Sequence, residues 1–95
     1  AQPPSVEVTH LHEAQVPVAR EARNVVAFLT AHGRATFAQL IEDARDTAVV
    51  VSRFLAILEL YRRRAIEFEQ ERALAPLQIV WNGIDPQVDE WEEDA

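Results

Sequence analysis

One stretch constrains the fold more than any other: residues 47–81, TAVVVSRFLAILELYRRRAIEFEQERALAPLQIVW. Apolar positions recur with a period near 3.6 as far as Leu60 or Tyr61, and with a period of two from Ile66 onward. A long helix must therefore pass directly into a hairpin. At about 100° per residue, Val50, Val51, Phe54, Leu55, Ile57, Leu58 and Tyr61 fall within an arc of about 160°, which predicts the core face, with Ser52 and Glu59 turned away. Val49 and Leu60 lie outside that arc on a second apolar strip beside Ala56. A three-helix domain has little left to cover this strip, and excess apolar surface of this kind marks a partner site. Val49 and Leu60 are candidate partner-binding residues on that ground.

The segments upstream complete the pattern. Pro17 suits a first helical turn, and Val18, Ala22, Val25, Val26 and Leu29 form one apolar stripe. That first helix should end near His32, where Gly33 can adopt a left-handed cap. After a short extended piece, Arg34-Ala35-Thr36, the pair Thr36 and Gln39 predicts a capping box opening a helix over Phe37–Ala44. Asp46 or Thr47 then offers an N-cap for the long helix. Downstream, Ile66, Phe68 and Gln70 alternate with Glu67, Glu69 and Glu71, so the pleat places the three glutamates on a solvated face. Leu77, Ile79 and Trp81 line the inner face of the return strand. The predicted fold is α+β: a winged helix of three helices with a helix-turn-helix and a small antiparallel sheet carrying a two-stranded wing, over residues 17–82.

The flanks differ in composition. Residues 1–16 contain Pro3 and Pro4 without helical periodicity and read as a flexible linker from an upstream region. Residues 83–95 read as an acidic disordered tail, with only Val88 and Trp91 available to pack. The net charge is −7, but six of the sixteen acids lie after Gly83, leaving ten against nine arginines in a nearly neutral body. DNA readers of this shape carry a basic face, and the glutamates around Arg62-Arg63-Arg64 repel phosphate. The triplet reads as charge complementing the end of the long helix. No run is long and apolar enough to span a bilayer. The absence of cysteine excludes disulfides and thiolate chemistry and fits a cytoplasmic setting. His10, His12 and His32 are too few and too isolated for a metal site. Ser5 and Ser52 have no base nearby, Glu42 and Asp43 have no evident pocket, and no phosphate-binding glycine loop is present. The expectation is a non-catalytic protein without cofactor or metal.

The run Arg53-Phe54-Leu55-Ala56-Ile57-Leu58-Glu59-Leu60-Tyr61, followed by Ala65-Ile66-Glu67-Phe68-Glu69-Gln70-Glu71, resembles the C-terminal winged-helix domain of kleisins, of the bacterial segregation and condensation protein A type. The shared elements are a Phe- and Leu-rich helix, a basic turn, an alternating strand and a Gln-Glu pair before the wing. Two departures stand out. Arg63-Arg64 and Arg72-Ala73-Leu74-Ala75 occupy turns where the family usually has glycine. The resemblance implies a domain that binds the ATPase head of a structural-maintenance-of-chromosomes (SMC) protein and helps close a ring at the nucleoid. It also implies that ScpB is held by an upstream region of the same subunit, and that no sequence-specific DNA contact or membrane is involved. The matching head-contact positions are Phe54 and Leu58, both on the arc assigned above to the core. Ile79 joins the candidate partner residues because a partner could add a strand along Leu77–Trp81. A winged-helix DNA-binding transcription regulator is the alternative.

Overall fold

The computed structural model describes residues 16–91. Helix α1 (Val18–His32) leads through β1 (Arg34–Thr36) to a short α2 (Phe37–Leu40) and the long α3 (Thr47–Arg62). Strands β2 (Ile66–Glu69) and β3 (Gln78–Trp81) form the wing, and a 3-10 turn at Val88–Glu90 follows. The sheet is antiparallel in the order β1-β3-β2, with Ile79 facing Ala35 on one side and Phe68 on the other. This is the expected α+β arrangement of a winged helix.

Local signals act where the sequence places them. Gly33, at φ 85°, closes α1 and donates its N–H to the Leu29 carbonyl at 2.7 Å. Thr36 and Gln39 form both halves of the capping box, and the Asp46 side chain accepts from the Val49 N–H. At the end of α3, the Ala65 N–H reaches the Leu60 carbonyl and the Arg64 N–H reaches that of Tyr61, the paired bonds of a Schellman motif. The left-handed residue in that motif is Arg64 (φ 66°), and Leu74 (φ 69°) is the left-handed residue of the wing turn that the Ala75 N–H closes on the Arg72 carbonyl. Each glycine-free turn carries a cost of about 1 kcal/mol, which the ladder around it tolerates.

The orientation of α3 reverses the expected one. Its buried residues are Ser52, Arg53, Ala56, Ile57 and Leu60, whereas Val51, Phe54, Leu55, Leu58 and Tyr61 are exposed. The core of the α1/α3 contact is built from small side chains, Ala19, Ala22 and Ala56, which let the helices approach closely, flanked by Val25, Leu29, Ile57 and Leu60. A wheel weighted by large apolar residues misses such a face. Leu60 is fully buried and Ile79 is 2% exposed; neither belongs to the surface, and Val49 is half-buried. β3 is the central strand, paired on both sides, so a partner strand has no free edge along Leu77–Trp81.

Polar groups hold α3 in this rotation. The Arg53 guanidinium donates from Nε to Glu21 Oε1 (2.8 Å) and from Nη1 to the Leu40 carbonyl (2.8 Å) and to Asp43. It thus ties α3 to α1, to the end of α2 and to the turn beyond. The contact also explains why α2 stops at Leu40 instead of reaching Ala44: the Leu40 carbonyl is taken by Arg53, and the Ala44 N–H turns to Ile41. Ser52 Oγ donates to the Val16 carbonyl at 2.6 Å, fixing the entry to α1. Burial opposes ionisation of Glu21, but the bonds from Arg53, Asn24 and Arg20 outweigh it and hold the carboxyl below its usual range. The hydrogen bond from Arg53 does the same for Asp43.

The segment after Gly83 is not a free tail as far as Trp91. Trp91 is 8% exposed and donates its indole N–H to the Pro86 carbonyl at 2.9 Å. The Arg63 guanidinium sits 4.9 Å from the ring centroid, and Arg23 pairs with Asp89 at 2.8 Å. A tryptophan buries enough apolar area to offset the ordering of a short segment, which is why an acidic composition did not prevent docking. Residues 1–15 and 92–95, including the expected linker, the histidine pair and the last acids, lie outside the described residues.

Two outcomes follow for stability. Glu21 has a depressed folded pKa, so its contribution is present above the unfolded value near 4.3 and is lost as pH falls through the folded one. Glu21→Gln should lower stability at neutral pH by about 1–3 kcal/mol and flatten its dependence on pH below about 4.5 in urea titrations, with the residual slope coming from Asp43. An unaltered acid slope contradicts this. Trp91→Ala should cost about 3 kcal/mol or more in the same assay, and an unchanged urea midpoint would show that the docked segment adds nothing.

Candidate functional site

The inward rotation of Arg53 and Ser52 leaves the greasiest side of α3 in solvent. At about 100° per residue, the buried and exposed faces are centred about 170° apart, so the helix is apolar on two opposite sides and only one is used by the fold. On the outer side Phe54 is 48% exposed, Leu58 41% and Tyr61 51%. Val51 and Leu55 complete the face.

Neighbouring aromatics order its two ends. Phe37, at the start of α2, meets Phe54 edge to face with centroids 6.0 Å apart. Tyr61 stacks on Phe68 of β2 at 4.8 Å. These contacts restrict the rotamers of the rings. Toward the C-terminal end, Leu55 and Leu58 form one wall of a shallow groove whose other side is Val18, Glu90 and Trp91. Glu59 lies along it and binds both Arg62 (3.1 Å) and Arg63 (2.7 Å).

Phe54 and Leu58 are therefore brought together on an open face, one helical turn apart. Leu60 and Ile79 are withdrawn into the core, and Val49 sits half-buried at the start of α3. Leu55, Val51, Tyr61 and Trp91 belong to the same surface but were assigned to the core or the tail. The pairing of Glu21 in α1 with Arg53 in α3, together with the alanines of both helices, was the available signal for the true rotation.

The perturbed groups, Glu21, Asp43 and Arg53, stabilise one another in their charged forms; this is the reverse of the poise that acid-base chemistry needs. Among the described residues no three His, Asp or Glu side chains gather as a metal site, and no helix is long and apolar enough to cross a membrane. The arginine triplet is engaged in part, since Glu59 occupies Arg62 and Arg63. Arg34 pairs with Glu69 on the sheet face that the glutamates line.

A search of curated proteins finds no match. The family model for segregation and condensation protein ScpA matches residues 2–82, which include all three helices and the wing. The fold is compatible with this match, and the match covers most of the chain: the chain belongs to the ScpA family, the kleisin subunits of SMC complexes that act in chromosome segregation and condensation.

Proposed function

We propose that this chain is the head-binding module of a kleisin: its α3 outer face docks on the ATPase head of an SMC protein and so helps to close the ring. The observation that carries the reading is the two-sided helix. A domain of this size can rarely leave several large apolar side chains exposed along one helix unless a partner covers them, and binding energy concentrates in a few such anchors. Phe54 and Leu58, the positions the family resemblance implies for head contact, lie within this face. The module works by binding, without catalysis or a cofactor, in the cytoplasm at the nucleoid, with ScpB held elsewhere on the same subunit.

Substitution separates the two sides of α3. Phe54→Arg and Leu58→Arg should keep their circular dichroism and melting midpoint while losing affinity for the cognate head by tenfold or more, about 1.4 kcal/mol. Leu60→Arg is the folding control: it places a charge at a fully buried position and should unfold the domain, at a cost of several kcal/mol. Calorimetric titration with the isolated head measures the first pair. Wild-type affinity in both folded variants would remove the α3 face from the interface.

A further inference from the structure

The wing turn is apolar where a turn in water is usually polar. Between Arg72 and Gln78 the chain reads Ala73-Leu74-Ala75-Pro76-Leu77, and all but Ala75 are exposed. Leu74 is 99% exposed and Leu77 49%. Leu74 also holds φ 69°, a conformation that glycine or asparagine adopts at little cost and leucine resists. Turns favour glycine, asparagine, aspartate and serine for such reasons, and an exposed apolar run of this length is a defect unless it has a function. The turn is nevertheless well built: the Ala75 N–H closes on the Arg72 carbonyl at 3.0 Å, and Gln70 Nε2 donates to the Ala75 carbonyl at 2.7 Å. One residue thus combines full exposure of a large apolar side chain with backbone strain, and strain of this kind gathers at functional positions.

The run adjoins the α3 face. Tyr61, at the end of that face, stacks on Phe68 of β2. Phe68 is the register partner of Ile79, and Leu77, two residues before Ile79, continues that side of the hairpin toward the turn. We propose that the wing turn is a second contact of this module with the SMC head, and that Leu74 enters an apolar socket there. The proposal rests on the head-binding reading and extends it from α3 to the wing. Charge favours a protein surface as the occupant. Glu67, Glu69 and Glu71 lead into the turn, and Arg72, the cation next to the run, is paired with Glu71 at 3.5 Å. The phosphates of DNA or of an anionic bilayer would meet more acid than base there. Among protein surfaces, the link through Tyr61 and Phe68 selects the partner that takes α3, while a second copy of this chain brings a net charge of −7.

The test titrates the isolated cognate head into the 95-residue chain and its Leu74 variants by calorimetry, beside their melting midpoints. Leu74→Gly relieves the left-handed angle and removes the side chain, so it should hold or raise the midpoint while binding about tenfold more weakly. Leu74→Asn, also at ease in that conformation, should lose a similar factor. Leu74→Met keeps an apolar side chain and should bind within about twofold of wild type. A loss of affinity in a domain that is no less stable does not come from misfolding. Wild-type affinity of Leu74→Gly and Leu74→Asn overturns the proposal, even where Phe54→Arg abolishes binding and so preserves the head-binding reading. Undiminished binding by folded Phe54→Arg and Leu58→Arg makes that reading fail on its own. Self-association of the wild type in sedimentation, lost in Leu74→Gly while head binding is unchanged, would put a second copy in place of the head and overturn the proposal as well.

Discussion

The Arg53 guanidinium determines which way the long helix faces. Buried beneath the α2 turn, it has Glu21, the Leu40 carbonyl and Asp43 as partners, and any rotation of α3 large enough to bury Phe54 and Leu58 would strip it of all three. A buried ion pair of this kind adds little net stability over an apolar pair of equal volume, but breaking one side of it costs several kcal/mol. Its effect here is on specificity. With two apolar sides to choose from, α3 would otherwise have alternative packings of similar energy, and the Arg53 contacts select one of them.

That selection gives the outer face its character. Ala19, Ala22 and Ala56 close the α1/α3 contact tightly, and the larger side chains are left for the surface. Core packing and an exposed apolar face thus divide one helix between them. The division is sharp: Leu58 and Leu60, two positions apart, have opposite environments, one 41% exposed and the other fully buried.

Much of the architecture was legible before the structure. The change of period after Tyr61, the Gly33 cap, the Thr36–Gln39 box and the Asp46 cap located where the elements begin or end, because each depends on a local signal of one or two residues; the end of α2, which had no such signal, came four residues earlier than expected. The alternation of Ile66 and Phe68 with Glu67 and Glu69 likewise gave the sheet its inner and outer faces. The rotation of α3 was not legible in this way. Hydrophobic periodicity measures which side is greasier, whereas burial followed the small and polar residues that fit α1. Only the resemblance placed Phe54 and Leu58 outward. The docking of the segment after Gly83 was missed for a related reason, since average acidity was weighed more heavily than a single tryptophan whose indole N–H reaches the carbonyl of the buried Pro86, five residues earlier.

The absence of native cysteine makes the central claim directly measurable, because a single introduced thiol reports on its own position alone. Leu58→Cys and Leu60→Cys, reacted under native conditions with a thiol reagent and compared with the same chains in denaturant, read the two sides of α3 within half a turn of each other. The account predicts that Leu58→Cys reacts within a few-fold of its unfolded rate, while Leu60→Cys reacts only through unfolding and is slowed by orders of magnitude. Rapid labelling of a folded Leu60→Cys together with protection of Leu58→Cys would reverse the rotation of α3 and contradict the account.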